Sequence, residues 1–222
     1  MRIRRTARIL SAGILGVALA CQDGSTAPRQ TTSTPLLSLR LGTTFSYHST
    51  DTLIGPAAVG PSAPDSDFTV TIVSDVVDVR GTHWATLDAA GRMFGPAASG
   101  SWTYFTSAAD GLRSLHTVFP TGLDALSLST LLLPYPAALG AVAQYGATVI
   151  ATDTIITVPA GTFHCVRYDY PFARSLSLWS LFIAPGTGVV QRILTVSSFN
   201  GPNFELLGKH DRIYRLTAIA AP

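Results

Sequence analysis

From Thr43 onward, apolar and polar residues alternate with a period of two through runs rich in β-branched and aromatic side chains. Thr43-Thr-Phe-Ser-Tyr-His48 opens the series, with Phe45 and Tyr47 on one face. Phe68 to Val73, Val76 to Val79 and His83 to Leu87 follow, then Ser101 to Thr106 and Leu112 to Val118. The second half repeats the style in Thr148 to Val158, Phe163 to Tyr170, Leu176 to Ile183, Gly188 to Val196 and Phe204 to Leu216. Turn chemistry separates the runs: a Gly/Pro/Ala loop at 55–64, Asp88-Ala-Ala-Gly91, and Asp110-Gly111, whose glycine supplies the positive φ of a hairpin. About ten strands at roughly ten-residue spacing predict an all-β fold. The expected architecture is a single antiparallel curved sheet, half-barrel or barrel, with at most one short helix.

One stretch breaks the rhythm. Leu123-Asp-Ala-Leu-Ser-Leu-Ser-Thr-Leu-Leu-Leu133 is apolar and is closed by Pro134 and Pro136. A helix of two or three turns starting near Asp124 would give its leucines one broad face. An alternating strand through Leu126-Ser-Leu-Ser fits almost equally well, and periodicity does not separate the two.

The N-terminus has another character. Arg2, Arg4, Arg5 and Arg8 precede an uncharged segment from Ile9 to Ala20, and Cys21 follows. Twelve helical residues span about 18 Å, short of the roughly 30 Å hydrocarbon core of a bilayer. Residues 1–20 are therefore expected to be a signal peptide, with Ala20 the small residue before the cut. Residues 21–37, rich in Ser, Thr, Pro and Gln, have too few apolar side chains to fold alone and are expected to form a tether. The β domain is expected over 38–222.

Val17-Ala-Leu-Ala-Cys21 resembles the lipobox of bacterial lipoproteins, although Ala18 stands where that family usually has leucine. The resemblance implies that the Cys21 thiol receives a diacylglyceryl group and becomes the new N-terminus. Two or more acyl chains hold a protein on a membrane where one does so only marginally. By resemblance to enterobacterial sorting, Gln22 after the cysteine implies the outer membrane.

Removal of the signal alters the charge balance. The full chain has 15 Lys+Arg against 13 Asp+Glu; four arginines and no acid leave, so 11 face 13 and the net charge becomes −2. No Lys/Arg cluster remains, which leaves nucleic-acid binding without an electrostatic footprint. With Cys21 lipidated, Cys165 is the only thiol, and no intramolecular disulfide can form. At 47% apolar and 13% charged residues, the domain must rely on its core.

The second half carries a further resemblance. Val158-Pro-Ala-Gly-Thr-Phe163, then Cys165-Val-Arg-Tyr168, then Ala184-Pro-Gly-Thr-Gly-Val-Val190 is similar to a pattern recurring in exported bacterial β-rich proteins of unknown function. The likeness runs from about Leu131 to Ile193 and implies an antiparallel β domain with no reaction attached. Physically, Pro159 fixes φ and Gly161 permits positive φ, a tight turn between strands. Pro185-Gly-Thr-Gly188 is a second hairpin. It is followed by a strand, whereas a dinucleotide fingerprint needs a helix there.

Candidate chemistry is sparse. His48, His83, His116, His164 and His210 lie at no zinc spacing, so no metal is expected. His164 and Cys165, as strand neighbours, point to opposite faces. There is no Gly-x-Ser-x-Gly elbow, and Glu205 is the single glutamate. No catalytic residue, enzyme activity or cofactor is expected; a hydrolase would need a Ser, Cys or Asp folded against one of the histidines. The remaining lead is aromatic: Trp84, Trp102, Tyr104, Phe105, Phe119, Tyr135, Phe172, Trp179 and Phe182. Within that set Trp102, Tyr104, Trp179 and Phe182 are the candidate lining of a groove between the sheet and the 123–133 segment. The expectation is a membrane-anchored, structural or binding protein of the cell envelope, on the outer membrane facing the periplasm or cell surface. The alternative is a periplasmic carrier of an acyl chain or other apolar ligand, which requires a contiguous apolar cavity.

Overall fold

The computed structural model describes residues 34–54, 64–94, 103–143, 145–172, 177–200 and 205–222. Cys21, Trp102 and the 55–63 loop lie outside them.

Among the described residues eleven strands form one antiparallel sheet that curls into a nearly closed barrel. They are β1 (Thr44–Ile54), β2 (Ser66–Val77), β3 (His83–Leu87), β4 (Thr103–Ala108), β5 (Gly111–His116), β6 (Thr130–Pro134), β7 (Thr148–Val158), β8 (Gly161–Phe172), β9 (Ser177–Ala184), β10 (Gly188–Asn200) and β11 (Glu205–Ala220). The order β6-β5-β4-β3-β2-β1-β11-β10-β9-β8-β7 is a meander whose first and last strands pair. Its break therefore falls mid-chain, between β6 and β7.

The break is bridged by side chains. Tyr168 Oη donates to Pro134 O at 2.9 Å, and Tyr170 Oη to Leu132 O at 3.4 Å. Both tyrosines lie on β8 and both acceptors on β6, so two carbonyls of the β6 edge find donors without a neighbouring strand.

Among the described residues two very short helices are present where at most one was expected. α1 (Ala90–Phe94) occupies what the sequence suggested was a plain turn. Ala90, Met93 and Phe94 are buried there, Phe94 with its ring centroid 5.2 Å from that of Phe105, so packing stabilises the extra turn. The ambiguous leucine-rich stretch becomes both alternatives in succession. Asp124 Oδ1 accepts from Leu126 N at 3.1 Å and caps α2 (Ala125–Leu128); Ser129 ends it, and β6 follows.

Two hydrophobic clusters lie on opposite faces of the sheet. The main one fills the interior with Phe45, Val70, Phe105, Leu112, Tyr168, Leu181 and Leu216 among others. The smaller one, Trp84, Leu115 and Ala125 with Tyr104 and Phe119 packed on it, lies on the face opposite Phe105 and is covered by α2. Trp84 is 0% exposed, and its Nε1 donates to Asp78 Oδ2 at 3.3 Å.

One end of the barrel is stoppered. Leu36 and Leu37 are core residues, so packing starts slightly ahead of the expected domain start at 38. Their segment is tied to the β9–β10 turn by Gly186 N to Pro35 O (2.7 Å) and to β4 by Ser107 Oγ to Leu37 O (3.1 Å). A Cβ on Gly188, where φ is 130°, would lie 2.7 Å from Leu37 Cδ1. The tip of the β7–β8 hairpin, which outruns β9 because β8 pairs with it only from Val166, reaches β11 through Ala160 N to Leu216 O at 3.2 Å.

Candidate functional site

Register places three successive rungs of inward side chains across the wall at the other end. The floor rung runs Tyr168, Leu181, Arg192, Tyr214 and Ser49 over β8, β9, β10, β11 and β1. The middle rung is Tyr170, Trp179, Leu194, Arg212 and Asp51. On the rim rung stand Ser177, Val196, His210 and Leu53. Rungs two residues apart on a strand are separated by about 7 Å.

Exposure is greater above the floor, except at Asp51, whose side chain is 2% exposed. Arg192 is 3% exposed; the Arg212 and His210 side chains are 29% and 22% exposed, and Leu53 is 38% exposed. Water thus reaches inward-facing residues at this end. Among the described residues it is the open mouth of the barrel.

Arg192 dominates the floor. Its guanidinium carbon lies 3.9 Å from the Tyr214 ring centroid and 4.3 Å from that of Trp179. Nη1 donates to the carbonyls of Gly91 (3.2 Å) and Arg92, which belong to α1 on the far side of the lumen. Nε has no hydrogen-bond partner. Burial pulls the guanidinium down to about 10, against the opposing pull of Tyr214. Aromatic faces and carbonyls offset part of the desolvation of such a charge without neutralising it.

Above it, Asp51 is buried (2% side-chain exposure), with His210 Nε2 at 3.2 Å and Arg212 Nε at 3.7 Å. Neither contact has hydrogen-bond geometry, so His210 Nε2 and Arg212 Nε are buried without hydrogen-bond partners. Arg212 also lies 5.7 Å from the Tyr214 ring, so two guanidinium groups lie near one aromatic. Next to it Tyr47 stacks on Phe68 (5.2 Å between centroids) and donates to Val189 O at 2.8 Å; burial drives its hydroxyl pKa far up.

The aromatic residues expected to share a groove are dispersed. Tyr104 lies under α2 in the small outer cluster. Trp179 and Phe182, three residues apart in β9, face opposite sides of the sheet. Trp179 packs on Arg192 in the mouth, and Phe182, buried at 6% exposure in the main cluster, lies 5.6 Å from the Arg167 guanidinium. Only Trp179 of the described three lines the mouth.

The histidines do meet polar partners. His48–Asp67, His83–Asp75 and His164–Asp153 pair across neighbouring strands at 2.7, 2.9 and 2.8 Å. His116 bridges Ser114 Oγ (3.1 Å) and Thr103 Oγ1 (3.2 Å), and its burial holds its pKa below the ordinary value. Ser114 is 0% exposed, however, so its hydroxyl has no route to a substrate. Cys165 is buried too, its thiol pushed up to about 11 by desolvation and then by Asp153. Among the described residues no group of three or more His, Cys, Asp or Glu is placed to hold a metal.

No family model matches the chain, and no curated protein does. Among solved structures it aligns with a protein assigned as a lipoprotein from Parabacteroides distasonis at 12% identity and a TM-score of 0.38, covering 85% of this chain and 99% of that one. It also aligns with an exported protein assigned a YmcC-like fold from Bacteroides fragilis, at 12% identity and 0.36, covering 85% and 100%.

Proposed function

We propose that this chain is a lipid-anchored protein of the bacterial cell envelope whose barrel binds or supports a partner and performs no catalysis. The observation that carries the reading is Cys21, placed directly after a basic and then uncharged signal segment and before a polar stretch. The resemblance to enterobacterial sorting signals, with Gln22 after the cysteine, supports outer-membrane residence.

The non-catalytic part is supported by access. Among the described residues Ser114 is the serine or cysteine hydrogen-bonded to a histidine ring, and it is sealed in the sheet. A nucleophile has to reach a reacting atom as well as its base.

Carriage of an acyl chain inside the barrel receives less support. Phe105, Leu112, Tyr168 and Leu181 fill the lumen with no exposure. An open cleft of about 650 Å³ lies instead on the outer surface by the β1 bulge, beside Ser46, Asp67 and Thr217. Native mass spectrometry of the mature chain, with Cys21→Ser to omit the lipid, separates the readings. A chain released without any co-purified lipid is expected; a stoichiometric long-chain lipid would favour the carrier.

A further inference from the structure

We propose that the open mouth of the barrel is a binding site for an organic oxyanion, a carboxylate or phosphate carried on a short apolar body, held by Arg192 and Arg212. The inference is independent of the lipid anchor and rests on the three rungs alone.

Charge is the first argument. Among the described residues of the three rungs, Arg192 and Arg212 face the single carboxylate of Asp51, an excess of one positive charge. Arg192 is almost wholly buried without a carboxylate in its hydrogen-bond shell. A buried cation short of a counter-ion is expensive to maintain, and an incoming anion relieves that cost.

Unused donors are the second. Arg192 Nε and Arg212 Nε are both buried and both lack hydrogen-bond partners. Guanidinium N–H groups prefer carboxylate and phosphate oxygens, which they bind with charge-assisted hydrogen bonds. His210 Nε2, one rung further out, is a third polar atom without such a partner.

The walls define the rest of the ligand. Trp179 and Leu194 flank the arginines, and Val196 and Leu53 continue the apolar surface to the rim. Floor to rim is four residues along the strand, about 13 Å. Since the lumen below is packed solid, the ligand has to stop at Arg192, which suits a medium-length chain better than a long one.

Calorimetric titration of the mature chain with octanoate, octyl phosphate, octanol and inorganic phosphate tests this. Octanoate and octyl phosphate should bind at least tenfold more tightly than octanol and than inorganic phosphate. R212Q should weaken both anions about tenfold while leaving octanol unchanged. Should R212Q not fold, V196D, which places a like charge at the half-exposed rim, should have the same effect. Equal binding of octanoate and octanol, no binding of either anion, or a folded variant with wild-type affinity would overturn the proposal. Phosphate alone binding as tightly as octyl phosphate would overturn the apolar body.

Discussion

Arg192 on β10 donates to the carbonyl of Gly91 at 3.2 Å, across the lumen from the wall it belongs to. That contact joins α1 to the opposite side of the barrel and positions a guanidinium between Trp179 and Tyr214. One residue thus props the interior and forms the floor of the mouth.

Replacing Arg192 by Ala should destabilise the barrel by about 2–4 kcal/mol, because two carbonyls lose a charged donor and two rings lose their cation. Chemical unfolding of wild type and variant measures it. R192M, which fills the space without the charge, should recover part of the loss. A change within about 0.5 kcal/mol for R192A would mean that α1 is held by its apolar residues alone.

The seam between β6 and β7 depends on two hydroxyls. Tyr168→Phe and Tyr170→Phe should each cost about 1 kcal/mol, since both leave a β6 carbonyl without its donor. Hydrogen exchange should show faster opening of β6 with β10 unchanged. Uniform acceleration throughout the sheet would contradict the local assignment.

Cys165, with its thiol raised to about 11, should be almost inert to a thiol reagent at pH 7.5 in a chain carrying Cys21→Ser. Labelling should become fast only on unfolding. Rapid native-state labelling would show that β8 opens around it.

Acid should weaken the fold through Asp78. Burial favours its neutral form, but N–H donors from Thr82, Arg80, Trp84 and Ala125 outweigh burial and hold its pKa below 3.8. A carboxylate depressed in the folded state stabilises above its unfolded pKa, and that contribution is lost as pH falls through the folded value. Asp78→Asn should therefore be less stable at pH 7 and show a flatter stability profile below about pH 4. An unchanged profile would remove Asp78 as a source of acid sensitivity.

Most of the sheet was legible because a strand with one buried face alternates visibly, as Phe45 and Tyr47 or Leu181 and Ile183 do. The hairpins at Gly111, Gly161 and Gly188 were legible for the same kind of reason, since each needs positive φ. The helices were not, because one-turn elements such as α1 exist through packing on Phe105 and the Arg192 bond, which no local pattern encodes. Closure between β1 and β11 was equally hidden, since pairing of chain ends leaves no local trace.

The mouth was missed although a signal was present. Arg192 has the same parity as Val190 and Leu194, and Arg212 the same as Tyr214 and Leu216, so both charges fall at inward positions of β10 and β11. A charge on the buried parity of a strand is the mark of an interior polar site. Residue type alone does not tell strand faces apart: Tyr104 packs in the small outer cluster, and Phe182 lies three residues from Trp179 on the opposite face of β9.

The envelope anchor is tested most directly by metabolic labelling with a fatty-acid analogue in cells producing wild type or Cys21→Ala. Wild type should incorporate the label and fractionate with membranes, and the variant should carry none. Equal labelling of the two chains would contradict the account.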